Sequence, residues 1–113
     1  MHEVALAQSI VDIVREQTKG QTFGAVTRVF LRIGALSSVE PEALVFGFDS
    51  AARGTVADGA RLEIVRTPGT AFCAACGRDV QVAARIDDCP ACGSAQLLIT
   101  GGDELRVTEL EVA

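Results

Sequence analysis

The sequence has no tryptophan, no tyrosine and one histidine, His2. Five phenylalanines are its only aromatics, so the core must be mostly valine, leucine, isoleucine and alanine. With His2 alone, no internal imidazole is available as a general base or triad member. A basic stripe is missing too. Ten Lys and Arg stand against fifteen Asp and Glu, a formal charge of −5, and the arginines are scattered. Nucleic-acid binders need positive surface to displace counterions from phosphates, so the charge argues against that class. No apolar run approaches the ~20 residues of a membrane-spanning helix. The start, MHEVALAQ, has an acid at position 3 and no basic stretch, unlike a secretory signal. A cytoplasmic protein is expected.

What is present suits a folded chain of one-domain size: 113 residues, 49% of them apolar. Val4, Leu6, Ile10, Val11, Ile13 and Val14 recur at helical spacing. Glu3 in the first turn and Lys19 in the last suit the helix dipole, and Gly20 is a stop, so a helix is predicted over 3–19. AVTRVFLRIG alternates, with Val29, Leu31 and Ile33 on one face, and predicts a strand ending at Gly34. Pro41 opens a second helix, in which Leu44 and Phe48 lie one turn apart and Gly54 is the stop. ARLEIVRTP reads as a strand closed by Pro68 and Gly69. GGDELRVTELEV reads as the last strand, with a change of phase that suggests a bulge near Thr108 or Glu109. Residues 70–100 differ: small residues, glycine and all four cysteines gather there. The predicted fold is α+β, with a lobe at 70–100 inserted into one unit made of 1–69 and 101–113.

The cysteines form two CxxC pairs, CAAC at Cys73 and Cys76 and CPAC at Cys89 and Cys92, twelve residues apart. A two-residue gap lets both thiolates of a pair face one ion, and the glycine after each pair, Gly77 or Gly93, relieves a tight turn. Two such pairs complete a tetrahedral four-sulfur set, the usual structural zinc site. Rubredoxin-type iron uses similar pairs, but usually among aromatics, and none lies between these. A redox CxxC would need one pair rather than two. Two disulfides conflict with a cytoplasmic protein. A lobe of about thirty residues cannot bury enough core unaided, so zinc there serves as scaffold. Four ligands leave no open position for catalytic water.

His2 is more than a side chain on a frayed end if the terminus is tied down by the helix that follows at once. Histidine at position 2 blocks removal of Met1, so a free amine is expected beside it. The Met1 amine, the His2 amide and imidazole, and the Glu3 amide nitrogen could wrap one ion in a plane. Such a nitrogen set suits Ni(II) or Cu(II), and the chemistry leaves both open.

MHEVALAQSIVDIV, VEPEALVFGF, GTVADGARLEI, the paired CAAC and CPAC, and GGDELRV occur in this order over essentially the whole chain. Together they resemble the HypA/HybF hydrogenase maturation proteins. The resemblance implies two helices on a three-stranded sheet with a zinc lobe before the last strand. It implies a nickel metallochaperone, not an enzyme, with nickel at His2 helped by backbone nitrogens of Met1 and Glu3. It also implies zinc on Cys73, Cys76, Cys89 and Cys92. The implied partners are a HypB-type nickel GTPase and the [NiFe]-hydrogenase large subunit, with urease maturation served by some members. An acidic residue near the start of the second helix accompanies the nickel site in relatives, and Glu40 holds that position here. Some relatives carry a further histidine in the zinc lobe, and this chain has none. Monomer and homodimer both stay open, as does the alternative of a zinc-ribbon protein- or nucleic-acid-interaction module.

Overall fold

A computed structural model describes residues 2–21 and 24–113. Helix α1 (His2–Thr18) buries Ala7, Ile10, Val11 and Val14, a stripe at i, i+3, i+4 and i+7. Ile13 and Val4 stay exposed by 42% and 50%, so the buried stripe is narrower than the apolar pattern predicts. Helix α2 (Pro41–Ala52) has Pro41 in its first turn and Glu40 as N-cap. It buries Leu44 and Phe48 completely. The two helices pack together, with Ala7 against Gly47.

Strands β1 (Val26–Gly34), β2 (Arg61–Thr67) and β6 (Leu105–Val112) form one sheet in the order β2-β1-β6. Val29, Leu31 and Ile33 are fully buried and Arg28 and Arg32 exposed, which is the predicted alternation. In β6, Leu105 and Val107 are half-buried, Thr108 and Glu109 are both exposed, and Leu110 is half-buried again. Burial changes phase at the residues that carry the sequence irregularity.

The cysteine-bearing segment contains a second sheet, which the sequence did not predict. Strands β3 (Gly69–Cys73), β4 (Asp79–Val82) and β5 (Leu97–Gly101) pair antiparallel in the order β4-β3-β5, with a register shift between Thr70 and Ala71. These strands are only four or five residues long, so even the alternation of DVQV is too brief to set them apart from turn. The architecture is therefore α+β with two helices and two small sheets.

The chain forms two compact units. One contains both helices and most of β1, β2 and β6. The other combines Arg32–Ser38 with Arg66–Leu105. In this second unit Leu36 joins Ala71 and Val82 in a small core flanked by Val80, Leu97 and Ile99. Backbone lies against backbone here: Leu36 N–H donates to Gly102 O at 2.7 Å and Gly34 N–H to Glu104 O at 2.8 Å. A side chain on Gly34 would overlap the Gly102 carbonyl, and Gly102 itself holds φ +94°.

Candidate metal centres

β3 delivers Cys73 at its last residue, and the turn after it carries Cys76. The second pair repeats the first in backbone detail. Cys73 N–H donates to Arg78 O at 2.9 Å and Gly77 N–H to Cys73 O at 2.8 Å. Cys89 N–H donates to Ser94 O at 2.8 Å and Gly93 N–H to Cys89 O at 2.8 Å. Gly77 and Gly93 both hold positive φ, 71° and 79°, where a side chain would be strained. The twofold occurrence of CxxCG in the sequence is thus a twofold occurrence of one knuckle.

The knuckles bring all four sulfurs within 4.8 Å of one another. Cys73 Sγ lies 3.6 Å from Cys92 Sγ, and Cys76 Sγ 3.9 Å from Cys89 Sγ. Ligands at ~2.3 Å from a tetrahedral ion stand about 3.8 Å apart, so the set fits zinc. The separations are far from the ~2.05 Å of a disulfide, and all four cysteines are free. No described His, Asp or Glu joins the group. Cys73 and Cys89 are buried, Cys76 is intermediate and Cys92 is exposed.

The electrostatics of the thiols point the same way. Burial, then the neighbouring thiols, push Cys76 up to about 12. Burial opposes ionisation of Cys89 as well, but N–H groups of Ala91 and Cys92 aimed at its sulfur bring it down to about 7. Cys92 is raised: the Ser94 N–H favours its thiolate, and contacts with Cys73 and Cys89 together with burial outweigh that. Four thiolates this close repel one another, and a cation removes that repulsion.

At the other candidate centre, His2 is the first residue of α1 and its side chain is 55% exposed. His2 Nε2 lies 3.8 Å from Glu3 Oε2. That oxygen accepts a hydrogen bond from Glu40 N–H at 3.3 Å, and Glu40 Oε1 accepts from Glu42 N–H at 3.2 Å. The Glu3 carboxyl is held below its usual range, first by the Glu40 N–H and then by its own. The structure thus brings His2, Glu3 and Glu40 together at the N-termini of both helices. The expected Met1 ligand lies outside the described residues. The link through the Glu3 carboxylate was not foreseen, because nothing in local sequence couples positions 37 apart.

Elsewhere the described grooves gather no catalytic set. One of about 450 Å³ is lined by Asp12, Arg15, Glu16 and Lys19, the charged face of α1.

Four converging thiols on an α+β scaffold make this a metal-binding protein. The family model described as hydrogenase/urease nickel incorporation, metallochaperone, hypA matches residues 1–112. Hydrogenase maturation factor HypA 2 of Bradyrhizobium diazoefficiens is 54% identical over 112 residues, 99% of each chain. The HypA of Alkalilimnicola ehrlichii is 53% identical over 99% of each chain. The solution structure of the Ni metallochaperone HypA from Helicobacter pylori is similar with TM-score 0.67 and 26% identity, covering 97% of this chain and 96% of that one. A second solution structure of a HypA protein gives TM-score 0.71 at 27% identity, covering 100% and 97%. The chain belongs to the HypA family of hydrogenase maturation factors.

Proposed function

We propose that this protein binds Ni(II) as cargo at its N-terminus and passes it on during [NiFe]-hydrogenase maturation, without turnover of its own. The observation that carries this reading is the placement of the only imidazole on the first residue of α1 in a chain of this family. The first N–H groups of a helix have no intrahelical acceptor, so the His2 and Glu3 amides can lose their protons to a metal without breaking a helix bond. The positive end of the helix dipole favours the anionic nitrogens that result. With the Met1 amine and the His2 imidazole they make a planar nitrogen set for nickel. Glu40 acts by holding the Glu3 side chain through its N–H.

Cys73, Cys76, Cys89 and Cys92 would hold a structural zinc ion, which supplies cross-linking of the two knuckles. Nickel handling belongs to the helical domain, 1–69 with 101–113, and zinc to 70–100. The proposed partners are a HypB-type GTPase and the hydrogenase large subunit, with urease maturation proteins as further recipients, in the cytoplasm.

The test is nickel and zinc stoichiometry on untagged protein, wild type beside His2→Ala. The variant is expected to lose nickel and keep about one zinc per chain. Nickel retained in full by His2→Ala overturns the reading.

A further inference from the structure

The four thiols are unequal in access. Cys73 and Cys89 are buried, Cys76 is intermediate, and Cys92 alone is exposed. Its surroundings are small and open: Pro90, Ala91 and Gly93 are all exposed. Its close sulfur neighbour, 3.6 Å away, is Cys73 of the other knuckle. We propose that Cys92 is an oxidation site for hydroperoxides, and that the oxidised Cys92 closes a disulfide with Cys73 and opens the cage. The proposal rests on the zinc reading of the four cysteines.

A metal-held cysteine is a thiolate, and thiolate nucleophilicity combined with access decides which sulfur a peroxide meets first. In the first step Cys92 Sγ attacks one peroxide oxygen. The O–O bond breaks, the sulfur is oxidised to a sulfenic acid, and hydroxide (or an alkoxide) leaves. In the second step Cys73 Sγ attacks Cys92 Sγ, the S–O bond breaks, and a second hydroxide leaves. Two sulfurs have each given one electron, and the two peroxide oxygens have taken them. The cage has lost two of its four ligands.

The geometry also says why the bond forms across the knuckles. Within its own knuckle Cys92 would have to pair with Cys89. The Cys89 sulfur is engaged by the N–H groups of Ala91 and Cys92, and the turn is pinned by Gly93 N–H on Cys89 O at 2.8 Å. An in-knuckle disulfide would compete with the N–H groups that hold the Cys89 sulfur. The cross-knuckle bond instead keeps the two turns joined after the ion has left, so reduction can restore the cage.

The test uses zinc-loaded full-length protein treated with substoichiometric hydrogen peroxide. Free thiols are trapped with N-ethylmaleimide, released zinc is followed with a chromogenic chelator, and peptides are mapped without reduction. Cleavage after Arg85 separates the Cys73 and Cys76 peptide from the one bearing Cys89 and Cys92. A cross-knuckle bond therefore joins two peptides, and an in-knuckle bond joins none. The expected result is a Cys73–Cys92 link, one zinc released per link, and recovery with dithiothreitol and zinc. A Cys89–Cys92 loop, first oxidation at Cys76, or zinc retained with all four thiols reduced would each overturn the proposal. Zinc content before oxidation is measured separately: protein purified without zinc overturns the metal reading, while the peptide map still decides which disulfide forms.

Discussion

At the cysteine cage four side chains reach one point from two knuckles, each closed by two backbone hydrogen bonds. At the start of α1 one half-exposed imidazole stands 3.8 Å from a single carboxylate. The cage is a closed set made by side chains that lie far apart in sequence, and the proposed zinc ion would offset its cost in loop entropy. The proposed nickel set would be made by consecutive residues, and its half-exposed imidazole is one that a ligand could approach and leave without disturbing a core. A tight, resident ion suits the first arrangement and a passing one the second.

The strongest way to break this contrast is at the cage. Cys89→Ser is expected to abolish zinc binding and unfold the second unit, since apparent zinc binding energies in small domains are on the order of 10–16 kcal/mol. Amide exchange should show loss of protection in β3–β5 while α1 and α2 keep theirs. If β3–β5 stay protected without zinc, the ion is not their scaffold.

Next in size is Phe48→Ala. Among the described residues Phe48 is the largest fully buried side chain, and truncation should cost roughly 3–5 kcal/mol by denaturant unfolding. Zinc content of the folded fraction should not change, which would separate the helical core from the cage.

Smaller is the pH response of nickel. Protons compete with nickel for the imidazole, the amine and the amide nitrogens, so affinity should fall steadily as the solution is acidified below neutrality. Calorimetric titrations giving equal nickel affinity at mildly acidic and mildly alkaline pH would rule out the nitrogen chelate.

The smallest effect is expected from Glu3→Gln. The folded-state pKa of Glu3 is lowered, so its contribution to stability is complete above the ordinary carboxylate range and disappears as pH falls through the lowered value. Glu3→Gln should lower stability slightly in the neutral region and converge with the wild type as pH falls through the lowered value, which flattens that part of the acid unfolding profile. An unaltered acid limb would mean the Glu40 contact contributes nothing.

The elements legible in sequence were those with strong periodicity and clear stops. The stripe of α1, Pro41 at the start of α2 and the alternation of β1 each agree with the structure. The knuckles were legible because metal geometry dictates ligand spacing. Three short strands around the cage were not, since runs of four or five residues are too brief to establish a period. Two apolar residues assigned to the α1 stripe, Val4 and Ile13, are half exposed, because hydrophobicity alone does not say where a neighbour stops. The Glu3–Glu40 contact is a product of how α1 meets α2 and has no local signature.

The backbone contact at Gly34 and Gly102 has a genetic consequence. Neither residue presents a functional group, yet Gly34 has no room for a methyl group against the Gly102 carbonyl. A screen for lost hydrogenase maturation should therefore recover Gly34→Ala beside the cysteines. A reader of that mutation map would be drawn to a position that touches no metal.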